Sequence, residues 1–280
     1  MVSAVSSKRP PPPLPEPLAP LIDAHTHLDA CGAENADDVR AICDRAAAVG
    51  VQAVVTIADD LDSARWAVTA AGWDERVYAA VALHPTRADA LDDSARAELQ
   101  RLAADERVVA VGETGMDLYW PGKLDGCAEP DVQREAFVWH IELAKRIGKP
   151  LMIHNRDADD AVLEVLAAEG APENVIFHCF SSGPEMARRC VEAGWYISLS
   201  GSVSFRNARD LHAAVPLIPP ELLLVETDAP FLTPHPYRGS GNEPYCLPYT
   251  VRALAHLLNR PASELAAESS ANARRVYRIA

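Results

Sequence analysis

From residue 21 onward, short apolar runs alternate with longer amphipathic segments. Near-continuous apolar runs fall at 21–27, 51–58, 77–84, 108–112, 150–154, 175–180, 195–200 and 222–227. They read as strands buried on both faces, the pattern of a parallel sheet covered by helices. Between them, 36–49, 63–71, 93–104, 130–147, 158–168, 184–193 and 207–214 are rich in Ala, Leu, Glu and Arg and predict helices. Gly50, Gly72, Gly148, Gly170 and Gly194 each follow such a segment, where a helix is expected to stop. Two further helices, 247–258 and 262–278, end the chain. Strand–helix alternation predicts a parallel α/β sheet, and eight repeats of it predict closure into a (β/α)8 barrel, the TIM-barrel architecture. A single domain is expected over 21–280. The alternative, an open doubly wound sheet, lacks the glycine-rich nucleotide fingerprint after its first strand.

Residues 1–20 stand apart. Prolines at 10, 11, 12, 13, 15, 17 and 20 exclude a helix and favour polyproline II or disorder. Lys8 and Arg9 are followed by no apolar core of an export signal. The composition predicts a disordered, solvated tail; the other reading is a proline-rich peptide that docks a protein partner.

Composition narrows the class. The 280 residues are 49% hydrophobic, ample for a large core, and no run of 18 apolar residues is present to span a membrane. Six cysteines, with no C-x-x-C pair, predict reduced thiols in a cytoplasmic protein. A net charge of −14 argues against coating long nucleic acid through a basic surface. It leaves room for a nuclease whose metal ions supply positive charge locally.

The candidate chemistry collects at the predicted strand ends. His25 and His27 end the first strand, His84 the third, Glu113 the fourth, His154 the fifth, His178 the sixth and Asp228 the eighth. In a parallel barrel these ends share one face, where barrel enzymes build their sites. His140, His212 and His256 fall on helices and His235 in a loop. Four imidazoles and two carboxylates exceed the needs of one tetrahedral ion and suit two divalent ions sharing a carboxylate bridge. The expected arrangement is His25, His27 and Asp228 on one ion, His154 and His178 on the other, and Glu113 between them. Nitrogen and oxygen donors without thiolate fit Zn, Mn, Co or Mg. Cys179 is expected to point away from the ions, by alternation with His178. Asp228 has two roles in this reading, ligand and acceptor of the proton from the attacking water. A helix N-cap is the structural alternative for it.

The ordered set Asp23-Ala24-His25-Thr26-His27-Leu28, Leu83-His84-Pro85, Gly112-Glu113-Thr114-Gly115-Met116-Asp117 and Pro150–Arg156 resembles the TatD family of metal-dependent hydrolases. So do His178-Cys179-Phe180, Glu226-Thr227-Asp228-Ala229-Pro230 and Arg238–Pro244 further on. The resemblance runs from Leu21 to the C-terminus. It implies an amidohydrolase-like barrel with a two-ion centre and a deoxyribonuclease activity on DNA, exonucleolytic, on single strands or 3′ ends. His84, Arg156 and Arg238 then become candidates for binding phosphate, while Asp117, Asn242 and Glu243 shape the loops, direct contact staying open for Asp117 and Glu243. The chain departs from the family at 118–129, a longer connection in which Tyr119 and Trp120 can stack on a base or form a lid. It departs also at His140, a helical position where the family often has Gln. Two other readings stay open: hydrolysis of a small ester, lactone or amide, and a non-catalytic metal-binding scaffold.

Overall fold

A computed structural model of the protein describes residues 9–18 and 20–280. Eight parallel strands pair in chain order: β1 (Leu21–Thr26), β2 (Val51–Ile57), β3 (Val77–Val81), β4 (Val108–Asp117), β5 (Leu151–Arg156), β6 (Val175–Phe177), β7 (Tyr196–Leu199) and β8 (Leu223–Val225). The circle closes where the backbone after β8 meets β1. Asp228 N donates to the His25 carbonyl at 3.0 Å, and His27 N donates to the Ala229 carbonyl at 2.8 Å. This is the (β/α)8 barrel that the alternation predicts.

The helices lie outside: α1 (Ala36–Ala48), α2 (Leu61–Ala71), α3 (Asp93–Ala103), α4 (Pro130–Ile147), α5 (Asp159–Glu169), α6 (Pro184–Glu192), α7 (Arg209–Ala214), α8 (Leu247–Leu258) and α9 (Ala262–Tyr277). Local chemistry starts and stops them. Asn35 caps α1 by accepting from the amides of Asp37 and Asp38, and Asp60 caps α2 through a reciprocal box with Ser63. Gly148 ends α4 in the left-handed region, φ 65°. One apolar layer joins strands to helices, through residues such as Leu99, Phe137, Leu151 and Val251. A second fills the barrel, with Ile22, Val55, Met152, Ile176 and Leu224. The Tyr277 hydroxyl at the end of α9 reaches this inner cluster and donates to the Ala24 carbonyl at 2.9 Å.

Two strands depart from regular pairing where the site is built. In β1, Ile22 and Ala24 face the inner cluster and Leu21 the outer one, so strict alternation would send His25 and His27 outward. The register shifts between Asp23 and Thr26, and both imidazoles instead enter the barrel mouth. In β4, Val111 belongs to the outer layer, and a second register shift between Val111 and Thr114 turns Glu113 inward. An extra residue in one strand re-aims the side chains beyond it. The two glycines flanking Glu113 let β5 come close enough for this. A Cβ on Gly112 would collide with Met152, and one on Gly115, at φ 139°, with the carbonyl oxygen of His154.

Three expectations change. The fourth strand runs on to Asp117, so Glu113 stands within it rather than at its end. The sixth stops at Phe177, before His178 and Cys179, so alternation does not govern those two residues. The third is the N-terminal tail. Residues 1–8 and 19 lie outside the described residues, but residues 9–18 are laid along the barrel. Pro12 and Pro15 are buried and Leu18 half-buried, the three-residue spacing of polyproline II. Tyr245 and Tyr249 donate to the carbonyls of Pro12 and Pro13 at 2.7 and 2.9 Å, and Arg252 to that of Glu16 at 2.7 Å. Polyproline carbonyls have no partners of their own, so they are free to accept from side chains, and this segment is a strap rather than a solvated tail. No helix of the described residues is long and apolar enough to cross a membrane.

Candidate metal centre

The C-terminal mouth of the barrel gathers the predicted side chains into two touching groups around Glu113. In the first, the Nε2 atoms of His25 and His27 approach to 3.1 Å, and Asp228 Oδ1 lies 3.5 and 3.6 Å from them. Glu113 Oε1 faces the same pair at 3.9 and 3.8 Å. In the second, Glu113 Oε2 lies 2.6 Å from His178 Nε2 and 3.1 Å from His154 Nδ1, and these two nitrogens are 3.4 Å apart. The His25 and His178 rings stack at 4.0 Å, which places the groups side by side.

The donor set fits divalent cations. His25 and His27 turn their nitrogens toward one another with carboxylate oxygens on the same side, an arrangement that needs a proton or a cation in the middle. Around these residues stand further carboxylates that the sequence reading did not single out. Asp59 Oδ1 lies 3.7 Å from His27 Nδ1, and Glu226 Oε1 lies 3.5 Å from His178 Nδ1. Asp23, fully buried, accepts from the Thr227 amide at 2.8 Å and its hydroxyl at 2.5 Å. Asp23 and Glu226 lie within the quoted motifs and Asp59 just after the second apolar run, but only the folded barrel shows which side chain each faces. Asp117 Oδ2 lies 3.0 Å from His154 Nε2, and its Oδ1 accepts from the amides of Tyr119 and Trp120. Such outer carboxylates orient ligating imidazoles and raise their basicity. Burying this many ionisable groups costs several kcal/mol for each ion left without compensation. A stability role therefore does not explain the cluster, whereas cation binding does.

The acid–base balance points the same way. Burial opposes charge on His27, but Asp59, Asp228 and Glu113 outweigh it and push its pKa up to about 10. Burial likewise opposes charge on His178 and His154. Glu113 and Glu226 hold His178 well above the usual range, and Asp117 and Glu113 raise His154. His25 is driven the other way, by burial and by the neighbouring His178. Burial would raise Glu113, but His178, His84 and hydrogen bonds from His154 and His178 hold it well below the carboxylate range. Without metal, protons on imidazoles thus neutralise the carboxylates. A cation must displace protons from raised histidines, so its affinity is expected to increase with pH, by about tenfold per unit for each proton released. Calorimetric titration of Mn2+ or Zn2+ in buffers of differing ionisation enthalpy measures this directly. Binding that is pH-independent from 6 to 8 would show the imidazoles to be already neutral.

The remaining candidates divide. His84 belongs to the site: its Nε2 is 3.3 Å from His154 Nδ1, and its Nδ1 accepts from the Thr86 amide at 3.2 Å. Burial and the nearby His154 depress its pKa to about 3, which keeps the ring neutral. Arg156 and Arg238 are exposed and touch none of the six central side chains. Arg156 lies 4.1 Å over the Tyr119 ring, and Arg238 4.4 Å over the Phe205 ring. Tyr119 and Trp120 therefore meet a guanidinium at the rim, and Lys123 Nζ sits 3.7 Å from the Tyr119 ring. Asp228 heads a turn with no helix behind it, so it is not an N-cap. Asn242 steadies that turn by donating to the carbonyls of Thr227 and Phe231, and Glu243 pairs with Arg45 at 2.8 Å. Cys179, at φ 43°, packs its sulfur 3.3 Å from the Ser200 hydroxyl; burial and the carboxylates of Asp228 and Glu226 keep the thiol protonated. His140 is a satisfied core residue: Nδ1 donates to the Ala136 carbonyl and Nε2 accepts from the Leu83 amide, beside His84.

A parallel barrel that converges buried imidazoles and carboxylates on its mouth defines a metal-dependent hydrolase. The sequence model of the family described as TatD related DNase matches residues 22–278. A Mycobacterium tuberculosis protein named uncharacterized metal-dependent hydrolase TatD is 73% identical over 257 residues, 92% of this chain and 97% of the relative. The Bacillus subtilis uncharacterized metal-dependent hydrolase YabD is 38% identical over 261 residues, 92% of this chain and 99% of the relative. Among solved structures, the YJJV TatD homolog from Escherichia coli superposes with a TM-score of 0.85 at 27% identity, covering 93% of this chain and 98% of that one. The chain belongs to the TatD family of metal-dependent hydrolases.

Proposed function

We propose that this hydrolase cleaves phosphodiester bonds of DNA, exonucleolytically from 3′ ends or along single strands, with two divalent cations. Glu113 carries the reading: its Oε1 faces His25 and His27 while its Oε2 faces His154 and His178, so one carboxylate serves two cation positions. In this reading His25, His27 and Asp228 hold one ion and His154 and His178 the other. Bound there, such ions acidify water and offset the charge that develops on the attacked phosphoryl group.

The chain's own residues do the rest. Asp228 is the most exposed of the six ligands' carboxylates, at 9%. It accepts the proton that leaves the attacking water as the new P–O bond forms and the bond to the leaving oxygen breaks. The Thr86 amide donates to Nδ1 of the neutral His84 ring, which leaves the proton on Nε2 as a donor to a phosphate oxygen. Arg156 and Arg238 have no carboxylate partner among the described residues, and each is free to take a phosphate with its planar fork.

The expected result is that protein loaded with Mn2+ or Mg2+ shortens 5′-labelled single-stranded oligonucleotide by successive nucleotides, and phosphorothioate linkages at the 3′ end stop it. A folded, metal-loaded protein that leaves DNA intact but opens lactones or esters would support the second reading. The net charge of −14, which repels a polyanion, is what favours that alternative.

A further inference from the structure

Arg9, the first described residue of the strap, meets the loop that carries Arg238. Arg9 Nη1 donates to the Arg238 carbonyl at 2.6 Å, and its guanidinium lies 3.7 Å from where a Gly239 side chain would begin. The strap is itself anchored. Tyr245, Tyr249 and Arg252 follow one another at helical spacing, and their polar ends take the carbonyls of Pro12, Pro13 and Glu16. This is how aromatic grooves read polyproline II, here within one chain. Tyr249 also joins the two partners: its ring lies 5.1 Å from that of Tyr237, one residue before Arg238. Beyond Arg238, the Thr233 hydroxyl donates to the Ser240 carbonyl at 2.6 Å, and Asn242 holds the Thr227 carbonyl beside Asp228. Asn242 and Thr233 hold one end of the loop; at its tip the Arg9 hydrogen bond adds to the Tyr237–Tyr249 ring contact and to the seat of Arg238 over Phe205.

We propose that Arg9 is a positioning residue: the strap, fastened on α8, uses it to fix the Arg238 backbone at the barrel mouth. Arg238 itself is thereby presented over Phe205 toward incoming anions. A polyproline segment suits this task because it is stiff before it docks, so little conformational entropy is lost on fastening it. The consequence for catalysis rests on the phosphodiesterase reading; the mechanical link does not.

The test uses the full chain with Arg9→Ala, and separately Tyr245→Phe, which keeps the buried ring and removes the hydroxyl that holds the Pro12 carbonyl. Hydrogen exchange is followed at the amides of Tyr237 and Ser240, which bond to the carbonyls of Pro234 and Tyr237. Losing a charge-assisted hydrogen bond is expected to speed exchange there on the order of tenfold in Arg9→Ala, with β4 and β5 unchanged. With bis-p-nitrophenyl phosphate as substrate, KM is expected to rise severalfold while kcat stays within about twofold, and Arg9→Lys recovers part of the loss. Exchange at 237–240 that matches the parent protein in both variants overturns the proposal. Faster exchange without any phosphodiester hydrolysis by the parent protein upholds the link and defeats the phosphodiesterase reading instead.

Discussion

Glu113→Gln is expected to yield a folded barrel that retains at most one divalent cation and has lost hydrolysis by on the order of a thousandfold or more. Both effects follow from one geometry. The carboxylate presents one oxygen 3.9 and 3.8 Å from His25 and His27 and the other 3.1 and 2.6 Å from His154 and His178. An amide of the same size offers a single neutral oxygen, so the two groups can no longer share a ligand. If charge stabilisation of several kcal/mol is lost, each 1.36 kcal/mol removes a factor of ten in rate. The fold is expected to survive because His154 and His178 can shed their protons once the partner charge is gone, which avoids an uncompensated buried ion. Metal analysis of the purified variant, with circular dichroism as the folding check, measures the outcome. Two ions per chain and near-parental activity would remove Glu113 from its bridging role.

Asp228→Asn is expected to separate proton transfer from metal retention. Its Oδ1 lies 3.5 and 3.6 Å from the imidazoles of β1, so the loss weakens that cation position, while the Glu113, His154 and His178 group stays intact. General acid–base catalysis contributes typically 10²–10⁴-fold, and kcat is expected to fall within that span. The distinguishing readout is the pH–rate profile with saturating Mn2+, in which the rise on the acid side should flatten when the accepting carboxylate is gone. A variant with lowered metal affinity whose kcat recovers fully at high Mn2+, with an unchanged profile, would make Asp228 a ligand only.

Much of this was legible along the chain, for identifiable reasons. Eight apolar runs separated by helical segments leave few ways to bury every strand on both faces, so the barrel followed from local pattern. In a parallel barrel each strand ends on the same rim, and this alone is enough to bring His25, His27, His154, His178 and Asp228 to one face. Glu226 and Asp59 were not legible as part of the cluster. Each merely adjoins a strand end, and their roles depend on which imidazole they meet in the fold, 48 residues away for the His178–Glu226 pair and 32 for the His27–Asp59 pair.

The sequence by itself determined the repeat, the inventory of donor atoms and the rim on which they gather. Tertiary structure decided the direction in which those atoms point. Strict alternation would have sent His25, His27 and Glu113 outward, and two register shifts, beside close approaches at Gly112 and Gly115, turned them inward. It also decided the fate of the proline-rich segment. Composition describes a chain that cannot make its own hydrogen bonds, and only the distant Tyr245, just before α8, and Tyr249 and Arg252 on α8 supply the partners that lay it down. Period and composition are local properties, whereas side-chain aim and partner choice are fixed by contacts between residues far apart in the chain.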